Sequence, residues 1–162
     1  MSESRRQAHP RMTLEEKQRL NTELLPERDN VQVYKDTFDL LVFVYRTTNG
    51  MNREYRYTLA EEMKRTLQNL LTVIYEAKKT APRAALLTEA LHWVYEAKVL
   101  YRTMDELRLL KDWHCAVYIR QLASISKQLT AWHRYEKRKE DKETKDAPSG
   151  GTGGIPRVAP PE

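Results

Sequence analysis

One cysteine, Cys115, stands among the 162 residues, so no disulfide can close within the chain. The fold must rest on apolar burial. Glycine is almost as scarce: of five, four fall in the single run GGTGG at 150–154, which leaves Gly50 alone in the rest of the chain. That run is no phosphate loop, because it lacks both a preceding strand and a following Gly-Lys-Ser/Thr at a helix start. No apolar run approaches the roughly 18 residues that a membrane span needs. No cationic start followed by an apolar stretch marks a signal peptide, and the expected location is the cytoplasm. No segment alternates apolar and polar residues as a half-buried strand would.

Lysine and arginine number 28 against 23 acids, a formal charge of +5 with a pI near 9.3. Such a balance favours nucleic acid or another polyanion as a partner. The length suits one domain with a real core.

Both ends separate from the middle. Residues 1–30 read as a flexible basic arm, in which Thr13 and Glu16 have capping-box spacing and open a short helix through Leu25. Residues 140–162, rich in Gly, Pro and charge, read as a disordered tail. Between them, 31–139 carries four amphipathic stripes. The first helix, roughly Val31 to Arg46, places Val31, Tyr34, Phe38, Leu41 and Tyr45 at steps of three and four and ends at Asn49-Gly50. The second, announced by Thr58 with Glu61, runs Leu59, Met63, Leu67, Leu70, Ile74, Ala77. Pro82 separates it from the third, whose seam is Leu86, Ala90, Trp93, Ala97, Leu100, Met104, Leu107. Leu87, Leu91, Val94 and Tyr101 widen that helix's apolar surface beyond one seam and are expected to meet a second copy of the chain. Asp112 caps the fourth, with Cys115, Tyr118, Leu122, Ile125, Leu129 and Trp132. The expected fold is all-α, an antiparallel up-down-up-down four-helix bundle.

The charges then fall on faces. Lys64 and Lys78 stand fourteen residues apart on one line of the second helix, and Arg65 and Lys79 repeat this one position round. Arg120, Lys127 and Arg134 recur every seven residues opposite the apolar seam of the fourth helix, Lys137 follows, and no acid occurs between Asp112 and Glu136. Single-sign ladders track phosphates along a nucleic-acid backbone. They also serve as solvated faces, and lysines near helix C-termini gain from the dipole. Arg53 and Arg56 add charge before the second helix, and Tyr55, Tyr57 and Tyr75 are residues of the kind that stack on unpaired bases or close bundle ends.

Catalytic and metal readings lack partners. Glu89 and His92 have the Glu-x-x-His form of di-iron bundles, but no second pair or inward glutamates accompany them. His114 beside Cys115 has no further cysteine to complete a site, so Cys115 reads as a small buried residue. His133 lies at the edge of the fourth helix and His9 in the arm. No nucleophile, base and oxyanion set is present, and neither cofactor, metal nor small-molecule substrate is expected.

The succession REYRYTLAEEMKRTLQNLL, then EALHWVYEAKVLYRTMDELRLL, then SISKQLTAWHRYEKRK resembles the bacterial four-helix-bundle family of the accessory variability determinant (Avd) proteins of diversity-generating retroelements and the ribosomal intervening-sequence proteins. The likeness covers Val31 to Lys139. Its best matches are Arg56-Tyr57-x-Leu59 and Trp132 followed by a basic residue, while Thr130 and Ala131 replace glycines common in the family. It implies a basic homopentamer that binds a reverse transcriptase and its template RNA or cDNA, with no catalysis of its own. The alternative is a helical protein-interaction scaffold of the intervening-sequence type without a nucleic-acid role.

Overall fold

The computed structural model describes residues 10–148, so His9 and the GGTGG run lie outside the described residues. These residues form seven helices and no strand: α1 (Leu14–Leu24), α2 (Glu27–Asn30), α3 (Gln32–Thr47), α4 (Arg53–Arg56), α5 (Leu59–Lys79), α6 (Arg83–Glu106) and α7 (Asp112–Asp146). None is long and apolar enough to cross a membrane.

The short helix in the arm starts as its spacing requires, with Thr13 Oγ1 accepting from the Glu16 N–H at 3.1 Å. It buries no side chain. The core lies among α3, α5, α6 and α7. Here α3 and α6 each pack on both α5 and α7. Ordered pairs fix directions. Thr88 meets His133 at 3.0 Å, Lys98 meets Ser126 at 2.9 Å and Asp105 meets Cys115 at 3.5 Å, so α6 and α7 run oppositely. Asp36 meets Gln128 at 2.7 Å while Phe43 lies 5.4 Å from Tyr118, so α3 and α7 do too.

The stripe of α5 is as the periodicity predicts: Met63, Leu67, Leu70, Ile74 and Ala77 are all buried. On α7, Tyr118, Leu122, Ile125 and Leu129 are buried, while Cys115 and Trp132 are only partly so. Each fully buried Leu or Ile contributes about 1.5–3 kcal/mol. On α3 the face is turned from the predicted one: Val33, Tyr34, Thr37, Leu40 and Val44 are inside, and Tyr45 is exposed. Thr37 and Thr48 are buried without penalty, because each hydroxyl donates at 2.7 Å to the carbonyl four residues back.

The largest correction concerns α6. Leu87, Val94 and Tyr101, expected on an outer face, belong to the core together with Ala84, Ala90, Ala97 and Met104, and Leu91 packs partly buried against it. Two seven-residue lines of large residues compete on this helix, and both include Ala90 and Ala97 as neighbours. Tyr101 stacks on the buried Tyr118 with ring centroids 5.5 Å apart, and that phase places Leu86, Trp93 and Leu100 at the flank. Leu107 is left exposed.

Three local expectations also change. Thr58 does not cap α5; its hydroxyl donates to the Glu54 carbonyl at 2.7 Å, and Glu61 pairs with Lys64 instead. Gly50 has no positive φ, and α3 ends at Thr47 with Thr48 as its C-cap. The fourth helix continues past Lys139, since Glu140 accepts from the Ala84 N–H at 3.1 Å and holds α7 against the start of α6. Between α6 and α7, Leu109 N–H reaches the Met104 carbonyl at 3.0 Å and Arg108 N–H reaches that of Asp105 at 2.9 Å, a Schellman turn whose left-handed position, φ 55°, is occupied by Arg108.

Candidate nucleic-acid interface

Two basic ladders were legible on α5 and α7, and their surroundings differ. On α5, Lys64 is buried to 9 % exposure, with its Nζ 2.9 Å from Glu61 and 4.4 Å from the Tyr45 ring centre. Arg65 faces Glu62 at 3.7 Å, and Lys79 faces the buried Glu27 at 3.7 Å while lying over Tyr75. Lys78 is half-buried. Three of the four cations of this ladder thus face an acid, Lys64 and Arg65 one three residues earlier on α5 and Lys79 one on α2.

On α7 the cations stand differently. Arg120, Lys127, Arg134 and Lys137 are exposed. Among the described residues none of the four forms an ion pair. The first three have no acid three or four residues away in either direction, so the helix itself supplies no counter-charge. Their seven-residue recurrence sets them about 10.5 Å apart along the axis.

The α6 helix adds a residue that the ladder pattern missed. Lys98 lies beside Lys127 and Arg134 in a shallow groove of about 570 Å³ floored by Ala123, Ser126, Thr130 and Ala131. Its Nζ donates to Ser126 Oγ at 2.9 Å, which holds the ammonium over the groove. The sequence does carry a signal for it: Tyr95, Tyr101, Val94 and Arg102 fill the positions three and four away, so Lys98 also lacks a helical acid. Small residues at Ala123, Thr130 and Ala131 keep the groove open, as larger ones there would fill it.

Arg53 and Arg56 belong to neither ladder; they stand on α4, which packs on α5. They flank Tyr57, which is 63 % exposed, at 5.9 and 5.2 Å from the ring centre. Tyr55 is partly buried against the core, and Tyr75 is taken up by Lys79.

Other candidate side chains have structural partners. His92 is exposed beside Glu96, and His133 meets Thr88. Cys115 directs its thiol at Asp105, and burial, then that carboxylate, push its pKa up. Such a thiol is a poor nucleophile. Burial, then Lys111, lower the pKa of His114. Among the described residues no group of three or more His, Cys, Asp or Glu is placed to hold a metal ion.

No protein-family profile matches the chain, and no curated protein matches it.

Proposed function

We propose that this protein is a non-catalytic, nucleic-acid-binding helical bundle, with α3, α5, α6 and α7 in up-down-up-down order, and that it serves a reverse transcriptase of a diversity-generating retroelement by holding template RNA or cDNA. The observation that carries the nucleic-acid reading is the row Arg120, Lys127 and Arg134, exposed and unpaired among the described residues, with Lys98 across a groove of small residues. Four cations without counter-charge repel one another, and a phosphate backbone relieves that repulsion while releasing its own counterions. The retroelement assignment rests on the sequence resemblance.

Self-association is part of the reading, with the pentamer implied by the resemblance. Leu87, Val94 and Tyr101 are consumed by the core. The exposed large apolar side chains are Tyr95 and Val99 on α6, Leu107 at its C-cap, and Trp113, Ile119 and Tyr135 on α7, at 64, 44, 45, 58, 54 and 64 % exposure. The same residues favour a second reading, a protein-interaction scaffold, since exposed apolar side chains grouped on neighbouring helices commonly mark a protein contact.

Gel filtration with a labelled single-stranded RNA separates the two. Co-elution with the wild type and not with R120Q/K127Q/R134Q is the expected outcome. An RNA that elutes apart from the wild-type protein favours the scaffold.

A further inference from the structure

We infer that Tyr57, with the guanidiniums of Arg53 and Arg56 5.9 and 5.2 Å from its ring centre, is a stacking platform for one unpaired base of a single-stranded nucleic acid. This rests on the nucleic-acid reading and assigns it a second point of contact, away from the α7 groove.

Three observations carry it. Tyr57 closes the single turn of α4, its N–H donating to the Arg53 carbonyl at 3.2 Å, and its ring is 63 % exposed. Burial therefore does not account for an aromatic residue at this position. The segment beneath it is anchored: Met51 is buried, Asn52 Oδ1 accepts from the Glu54 N–H at 3.3 Å, and Thr58 Oγ1 donates to the Glu54 carbonyl at 2.7 Å. The ring thus projects from a fixed base, which reduces the entropy lost on stacking.

The two arginines are not equivalent. Arg56 donates from Nη1 to the Asn49 carbonyl at 3.2 Å and stays 5.2 Å from the ring centre. Arg53 lies 5.9 Å away and has no other hydrogen-bond or ion-pair partner among the described residues. Both distances lie within the roughly 6 Å reach of a cation–π contact, so a base that stacks on this ring displaces a guanidinium. Arg53 is free to swing from the ring to a phosphate while a base takes its place on the π-face, with Arg56 retained as a fixed cation beside it. Glu54, the one acid on α4, pairs with neither arginine within 4.0 Å. The fit is to an unpaired base with its own phosphate, since a duplex keeps its base faces covered.

The test compares two probes of about 12 nucleotides, oligouridylate and an abasic ribose-phosphate strand of equal length and charge. Wild-type protein is expected to bind oligouridylate at least about fivefold more tightly than the abasic strand. Tyr57→Ala should abolish that difference without changing abasic binding, and Tyr57→Trp should keep it. Circular dichroism and thermal melting should be unchanged in both variants, because the side chain is exposed. Equal binding of the two strands by the wild type, or a Tyr57→Ala protein that still prefers oligouridylate, overturns the inference and leaves the phosphate ladder standing. A wild type that binds neither strand overturns both.

Discussion

Arg83, at the first turn of α6, stands 3.9 Å from the buried carboxylate of Glu136 on α7. The same guanidinium donates from Nε to the Ala77 carbonyl at 2.8 Å and from Nη2 to that of Lys78 at 3.4 Å, while Trp132 Nε1 donates to Glu136 at 3.3 Å. One side chain therefore caps the end of α5 and faces a charge held inside the bundle. Arg83→Met should lower the unfolding free energy by about 2–3 kcal/mol, because it frees two helix-end carbonyls and leaves Glu136 with Trp132 as its remaining polar partner. Urea denaturation measures it. A loss under about 0.5 kcal/mol would show that water already satisfies these groups.

Leu87 and Val99 lie on different sides of α6, one fully buried and one 44 % exposed. Leu87→Ala should cost about 2–5 kcal/mol of stability through the cavity it leaves. Val99→Ser should leave the melting temperature within a few degrees and weaken self-association in light scattering. The reverse pattern would return Leu87 to the outer face assigned by periodicity.

His114 is buried with its ring edge-on to Phe43 and Trp113. Burial, then Lys111, hold its pKa below the usual 6.5, so the unfolded chain takes up a proton that the folded one refuses. Stability is thus full above about pH 6.5 and falls as the solution is acidified through the lowered folded value. His114→Phe should lose less stability than the wild type between about pH 7.5 and 5. Equal losses in urea midpoint would exclude this imidazole as the cause. At the alkaline limit the sign reverses for Tyr118. Burial pushes its hydroxyl up to about 12, against an opposing contribution from Thr47, so stability declines as pH rises above 10.

How far the sequence could be read depends on how many apolar faces each helix offers. On α5 the buried Leu71 and Val73 widen a single stripe and no second line competes with it, so Met63 through Ala77 are placed by period alone. On α6 the line Leu86, Trp93, Leu100 competes with Leu87, Val94, Tyr101, and the choice is made by the tertiary contact of Tyr101 on Tyr118, which no local pattern contains. Charge follows the same logic. Glu61 and Glu62 stand three residues before Lys64 and Arg65, so their pairing was visible in the spacing, whereas Lys79 meets Glu27 across 52 positions of sequence. Lys98 joins the α7 ladder only because α6 and α7 run oppositely, bringing Ser126 beneath it.

The most direct measurement is the slope of log binding constant against log salt for a single-stranded RNA, compared between the wild type and R120Q/K127Q/R134Q. Each phosphate neutralised contributes about −0.7 to the slope on a single strand. The account predicts that the triple variant, with circular dichroism and assembly mass unchanged, has a slope shallower by about 2 and at least tenfold weaker binding at moderate salt. A wild-type slope near zero, or a triple variant with the wild-type slope, would contradict it.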